Sequence, residues 1–265
     1  MKSKTPLVGV AGYAWRASVL AWCFAAFGIG GIVFTLAVFP IMRLLPGGGA
    51  AHRRRARWLV GRCFAALVSI LRATGTMRLQ VHNAQVLESC RHKLVLANHP
   101  SYLDVVLLVA LLPQADCIVK QGLWKSRYFR GAVREAGYIS NADPDRLVDE
   151  CAAAINSGGP LIIFPEGTRT VPGQPLAFQR GAARIALRAD CEIVPVIIRC
   201  EPAGIWAKGF RFFNLARQPF LLDLEVKPPV RLNVLGVDKG EPEPLAARRL
   251  TRRLEDYFVE GIQAP

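Results

Sequence analysis

The sequence predicts an α/β fold, a largely parallel sheet flanked by helices, preceded by an N-terminal membrane-embedded helical segment. Three observations carry that expectation. Residues 17–42 form a run of 26 without a charge, flanked by Arg16 and Arg43. From Lys93 to Ile198, short apolar runs alternate with stretches of helical period. Those short runs are apolar at consecutive positions, as strands buried on both faces of a parallel sheet must be.

As a helix, the uncharged run rises about 39 Å, enough to cross a bilayer core of about 30 Å with some tilt. A signal peptide would have a shorter apolar core, and a buried soluble helix would show a polar stripe. The segment breaks at 46–49, and His52-Arg53-Arg54-Arg55-Ala56-Arg57 follows. A basic block beside an apolar span reads as a cytoplasmic flank and a seat for anionic lipid headgroups. Nucleic-acid binding would explain the block but not the span, so no nucleic-acid partner is expected. A second apolar run, 58–71, is short for a full crossing and suits a helix in the interface or the return half of a shallow hairpin. The expected organisation is a membrane anchor and interfacial helix over 1–75 and an α/β domain over 76–265. The α/β domain is expected at the inner (cytoplasmic) membrane, on its cytoplasmic side.

Charge and cysteine usage agree with that placement. The first 87 of the 265 residues hold eleven Lys or Arg and no acid, so most of the net charge of +14 lies there. The seven cysteines are scattered, odd in number and without a CxxC, and the four histidines keep no metal-ligand spacing. Reduced, structural thiols and no metal site are expected.

Further along, strands are predicted at 94–97, 117–119, 138–140, 161–164, 193–198 and 220–226. Helices are predicted at 100–112, with Pro100 at its first position, at 123–136, at 144–158 capped by Asp143, and at 178–189. A last helix, 245–262, places Leu250, Leu254, Tyr257 and Phe258 on one side. Arg248, Arg249, Arg252 and Arg253 make its other face basic.

Two stretches carry chemistry. In Asn98-His99-Pro100-Ser101-Tyr102-Leu103-Asp104, His99 stands at the mouth of a strand-to-helix turn, and Asp104 lies early in the helix. The turn can fold the imidazole back so that the carboxylate accepts one ring N–H. That fixes the tautomer and leaves the second nitrogen free to take a proton. By spacing alone, the same pair also reads as a turn residue and a helix-start charge. In Phe164-Pro165-Glu166-Gly167-Thr168-Arg169, Gly167 permits close backbone approach and exposed N–H groups suit an anion. Thr168 adds a hydroxyl, Arg169 a planar fork matched to phosphate, and Glu166 an acceptor for a polyol. Alone, this stretch is also a generic loop.

Together, 67 residues apart from His99 to Glu166, the two stretches resemble the glycerophospholipid acyltransferase family (1-acylglycerol-3-phosphate acyltransferase-like). Its shared pattern is NHxxxxD followed by FPEGTR. Agreement continues through Ile118-Val119-Lys120, 178–183 and 193–196, and the resemblance covers roughly 94–198. It implies a membrane-bound O-acyltransferase that moves a fatty acyl group from acyl-CoA or acyl-carrier protein to a lysophospholipid hydroxyl. His99 would be the general base and Asp104 its orienting partner. Glu166, Gly167, Thr168, Arg169 and Lys120 would hold the acceptor, with membrane lipids as partners and no cofactor beyond the thioester co-substrate. One position departs from the pattern: Asp143 stands about where members that use lysophosphatidate carry an Arg. A non-phosphatidate acceptor such as an aminolipid or glycolipid therefore stays open, as does a non-catalytic lipid-binding protein of the same fold. The chain has no GxSxG, and only Cys90 lies within two residues of a histidine, His92. Direct transfer without an acyl-enzyme is expected.

Overall fold

The computed structural model describes residues 9–171, 173–203, 217–237 and 240–263. Among these, a seven-stranded sheet runs in the order β1-β7-β6-β2-β5-β3-β4. The strands are β1 Met77–His82, β2 Leu94–Ala97, β3 Asp116–Val119, β4 Ile139–Ser140, β5 Leu161–Ile163, β6 Ile193–Glu201 and β7 Phe220–Val226. From β6 to β4 every neighbouring pair is parallel. β1 and β7 are parallel to each other, and β7 joins the rest antiparallel to β6.

The continuous apolar runs are explained by cover on both faces. Along β2, Val95 and Ala97 enter one hydrophobic cluster while Leu94 and Leu96 enter the other. The first cluster is completed by α1 Val10–Val33, α3 Gly48–Ala73 and α4 Leu103–Leu111. The second is completed by α7 Pro144–Asn156, α8 Arg180–Ala189 and a C-terminal helix, α9, Glu243–Gln263. Alternation with period two thus divides each central strand between two cores.

The N-terminal segment is helical from Val10 to Arg43, long and apolar enough to cross a membrane, with almost none of its apolar stretch buried. It passes through a π-helical turn at Phe34–Val38 into α2, Phe39–Arg43. α3 returns alongside, so that Trp15 Nε1 donates to the Thr74 carbonyl at 3.0 Å and Phe27 stacks on Phe64 at 5.6 Å. Both helices join the sheet in one core: Val19, Leu20, Cys23, Val60, Val68 and Leu71 pack with β2 and β7 residues.

Several elements differ from expectation. The basic block and the second apolar run belong to one 26-residue helix, α3. Within the block, Arg57 pairs with Asp116 and donates to the Ala136 carbonyl at 2.7 Å, and His52 Nε2 bonds Glu135 at 2.6 Å. Those two groups bind the body of the protein; Arg53 and Arg54 are the exposed cations. The helix expected at 123–136 is two short ones, α5 Gln121–Lys125 and α6 Arg130–Glu135. β1 was not expected, although Met77–His82 alternates apolar residues with Arg78, Gln80 and His82 on its exposed side.

Candidate active site

The carboxyl ends of parallel strands form the edge where ligands bind in open α/β sheets. The 98–104 turn leaves β2 at that edge, and the 164–170 loop leaves its neighbour β5. Asn98 anchors the first. Its side chain donates to the Ile198 carbonyl and accepts from the Ile198 N–H, both at 2.7 Å, fastening the end of β2 to β6. Each such buried bond contributes about 1 kcal/mol.

Pro100 does not begin the helix; α4 starts at Leu103. Ser101 and Asp104 cap it reciprocally. Leu103 N–H donates to Ser101 Oγ at 2.9 Å, and Ser101 N–H donates to Asp104 Oδ2 at 2.7 Å, a capping-box arrangement. The same Asp104 Oδ2 lies 2.9 Å from His99 Nδ1. A proton on Nδ1 makes this a hydrogen bond to the carboxylate and leaves Nε2 as the basic nitrogen. Asp104 is fully buried, and burial pushes its carboxyl above the usual range, opposed by the bonds from His99 and Ser101. The His99 ring lies against Phe164, centroids 4.3 Å apart, with its side chain one-sixth exposed. One edge therefore reaches solvent while the other is fixed.

The second loop locks the first. Glu166 Oε1 accepts the backbone N–H of His99 at 2.8 Å and the Thr170 hydroxyl at 2.9 Å. Thr170 N–H donates to the His99 carbonyl at 2.7 Å. Glu166 is buried, which raises its carboxyl above the usual range, while the same two bonds pull it down. Gly167 has φ +66°, and a Cβ would meet Gln179 only at ordinary contact distance. Its need for glycine is the left-handed backbone rather than close approach. Arg169 reaches back across the turn, its guanidinium carbon 3.4 Å from the centre of the Tyr102 ring. Thr168 is exposed, and Lys120 stands exposed just beyond β3, at the same sheet edge.

The two loops thus bring His99, Asp104, Glu166 and Arg169 together, with Gly167 and Thr168 on the same loop. Sequence reading missed Ser101, Thr170, Phe164 and Tyr102 as parts of the assembly. All four lie inside or beside the motifs, and adjacency was their only signal. Asp143 caps α7, its carboxylate accepting from the backbone N–H groups of Asp145 and Arg146 at 3.1 and 3.2 Å. Among the described residues no cluster of His, Cys, Asp or Glu is placed to hold a metal ion.

Comparison with known proteins bears on the same stretch. The family described as Acyltransferase matches residues 78–199, from β1 into β6. The 1-acyl-sn-glycerol-3-phosphate acyltransferase of Helicobacter pylori is 34% identical over 113 residues, 40% of this chain and 48% of that protein. The alpha form of the same-named enzyme from Ovis aries is 28% identical over 192 residues, 69% of this chain and 64% of that protein. Over that region the chain is similar to the glycerophospholipid acyltransferases. The matches span about half to two thirds of these relatives' lengths. The crystal structure of the 1-acyl-sn-glycerophosphate acyltransferase PlsC from Thermotoga maritima superposes with a TM-score of 0.69 at 20% identity. It covers 96% of this chain and 98% of that one, and the fold is shared along both. The two loops joined by Glu166 and Thr170 fall inside the matched region.

Proposed function

We propose that this chain transfers a fatty acyl group from an acyl thioester to the hydroxyl of a lysophospholipid such as 1-acylglycerol-3-phosphate, at a membrane. The observation that carries the reading is the bond between His99 Nδ1 and Asp104 Oδ2 at the carboxyl edge of the sheet. His99 Nε2 removes the proton from the acceptor hydroxyl as its oxygen attacks the thioester carbonyl carbon. A C–O ester bond forms and the C–S bond breaks. The departing thiolate takes the proton from the imidazolium, so the products are a diacylated lipid and a free thiol. While His99 is cationic, Asp104 faces a positive partner, which offsets the cost of its buried charge during transfer.

Arg169 suits the acceptor phosphate through its planar fork, and Lys120 and Thr168 offer further donors nearby. Either an acyl-CoA or an acyl-carrier-protein thioester is anionic and suits the exposed Arg127, Arg130 and Arg134 that follow β3. Direct transfer is supported by the thiols. Burial pushes Cys117, Cys151 and Cys200 up to about 12, so none supplies a thiolate at neutral pH. The apolar N-terminal helix attaches the enzyme to the inner membrane, and the exposed Arg53 and Arg54 suit the anionic headgroups of its cytoplasmic leaflet. Asp143, engaged in its cap, does not argue for a non-phosphatidate acceptor.

The test is acyl transfer from labelled thioester to a panel of lysolipids in isolated membranes. His99→Ala should lower the rate by about 10²–10⁴. Full activity in that variant would remove the base assignment and leave a lipid-binding protein of the same fold.

A further inference from the structure

Glu166 and Thr170 have no part in the mechanism above, yet both hold the residue that it asks to move a proton. His99 N–H donates to Glu166 Oε1 at 2.8 Å, and the His99 carbonyl accepts the Thr170 N–H at 2.7 Å. Both polar groups of the His99 backbone are thereby held by the second loop. The Thr170 hydroxyl donates to the same Glu166 oxygen at 2.9 Å, so one oxygen of a buried carboxylate ties the two contacts together.

The loop that carries this pair is itself fastened. Gly167 N–H closes a turn on the Phe164 carbonyl at 3.1 Å, and Gln179 N–H, at the start of α8, donates to the Pro165 carbonyl at 2.7 Å. On the other side, Asn98 ties the preceding residue to β6, and the cap of α4 sets Asp104. His99 sits between these anchored neighbours, and rotation of its backbone would swing the ring. Nδ1 would leave Asp104 and Nε2 would leave the acceptor hydroxyl; the bonds to Glu166 and Thr170 oppose that rotation. A misplacement of about 1 Å at a reacting group can cost about 100-fold in rate. The Glu166 oxygen that grips His99 already accepts two bonds, which suits holding a backbone better than holding a polyol.

We propose that Glu166 and Thr170 are positioning residues for acyl transfer: together they clamp the His99 backbone so that Nε2 meets the acceptor hydroxyl. This rests on the acyltransferase reading and deepens it, moving Glu166 from acceptor binding, where the motif resemblance put it, to orientation of the base. Glu166 then acts on the rate through His99, and acceptor affinity belongs to other groups.

The experiment uses the purified full-length protein in detergent micelles. It reads kcat, the KM values for lysophosphatidate and acyl-CoA, and equilibrium binding of lysophosphatidate. His99→Ala is measured first; full activity there removes the base assignment, and the clamp with it, before any Glu166 variant is made. Glu166→Ala should lower kcat about 10- to 100-fold. Both KM values and the lysophosphatidate Kd should stay within about two-fold. Glu166→Gln keeps an oxygen that accepts both bonds, and its kcat should stay within about five-fold of wild type. Thr170→Val keeps the branched shape without the hydroxyl and should lower kcat about three- to ten-fold, while Thr170→Ser should restore it. On the residual rate of His99→Ala, Glu166→Ala should add nothing, because the clamp has no base left to orient. A Glu166→Ala variant whose Kd rises about ten-fold while kcat holds would put the carboxylate on the acceptor and overturn the proposal. So would a Gln variant as slow as Ala, or a Glu166→Ala loss that persists in the His99→Ala background. Should Glu166→Ala fail to fold, the Thr170 pair decides, and a Val variant with unchanged kcat overturns the clamp.

Discussion

At Asp104 a single carboxylate oxygen meets two demands. It accepts the backbone N–H of Ser101, which starts α4, and it lies within bonding distance of His99 Nδ1. The fold thus places the proposed partner of His99 as part of capping a helix. The cost is burial: the carboxyl is fully enclosed, its other oxygen has no partner among the described residues, and its pKa is raised. The native state therefore holds this proton to higher pH than the unfolded chain does. The stabilising protonated form is fully present below the ordinary value of 3.8 and is lost as pH rises through the folded value. Asp104→Asn removes that loss while offering an oxygen in the same place. Its stability relative to wild type should grow from about pH 4 upward, read from denaturant midpoints at each pH. Acyl transfer should fall at least about 100-fold, because the neutral amide does not answer the imidazolium. A variant less stable than wild type at neutral pH would contradict the account of a strained, buried charge.

Among the elements, α7 and α4 show how differently a helix start can be encoded. α7 begins at Pro144 behind Asp143, whose carboxylate takes the first free N–H groups; cap and proline stand together and the start is legible. Asp143→Ala should cost about 1 kcal/mol, visible as a lower denaturant midpoint with unchanged slope. Asp143→Arg loses the same cap, so any gain in lysophosphatidate use by that variant must be read against the stability lost. A midpoint unchanged in Asp143→Ala would show that the exposed cap contributes nothing. α4 looks similar on paper, with Pro100 in front. Yet Ser101 is the residue whose hydroxyl accepts the first N–H, and Pro100 stays in the turn that swings His99 back. The proline misled because its fixed φ serves a turn as well as a helix. The expected single helix at 123–136 failed for a comparable reason. Ser126 N–H closes α5 on Leu123, and α6 restarts when Arg130 N–H bonds the Ser126 carbonyl.

For the whole molecule, the decisive relation is between the N-terminal helices and the body. Contacts follow the apolar segment along its length, from Trp15 on the Thr74 carbonyl to Arg43 on Glu135. Between them, Gly31 lies so close to the Tyr128 carbonyl, and Gly131 to Thr35, that neither glycine leaves room for a Cβ. A helix bound to an α/β body over that distance presents its outer side, with Trp15, Trp22, Ile29, Val33 and Leu36 exposed, as one apolar face. Such a face suits a helix lying along a membrane surface. Variants keeping either Trp15 or Trp22 as the only tryptophan should then show similar, shallow quenching by depth-graded brominated lipids in vesicles. A crossing helix would set the two rings about 10 Å apart in depth. That second outcome would require the body to separate from α1 on insertion.

The sequence by itself determined the α/β class, the apolar N-terminal helix, the site's two motifs and the cap of α7. Each of these rests on neighbours along the chain, through period, charge or a local hydrogen bond. Only the tertiary structure decided that Arg57 faces Asp116 rather than lipid, and that the alternating segment Met77–His82 pairs as β1 with β7. It also decided that Glu166 grips the His99 backbone, 67 residues away in the chain. Partners of that kind are chosen by the packing of the sheet, which brings β2 and β5 side by side. No run of residues records that choice, because the energy that makes it is shared among strands far apart in sequence.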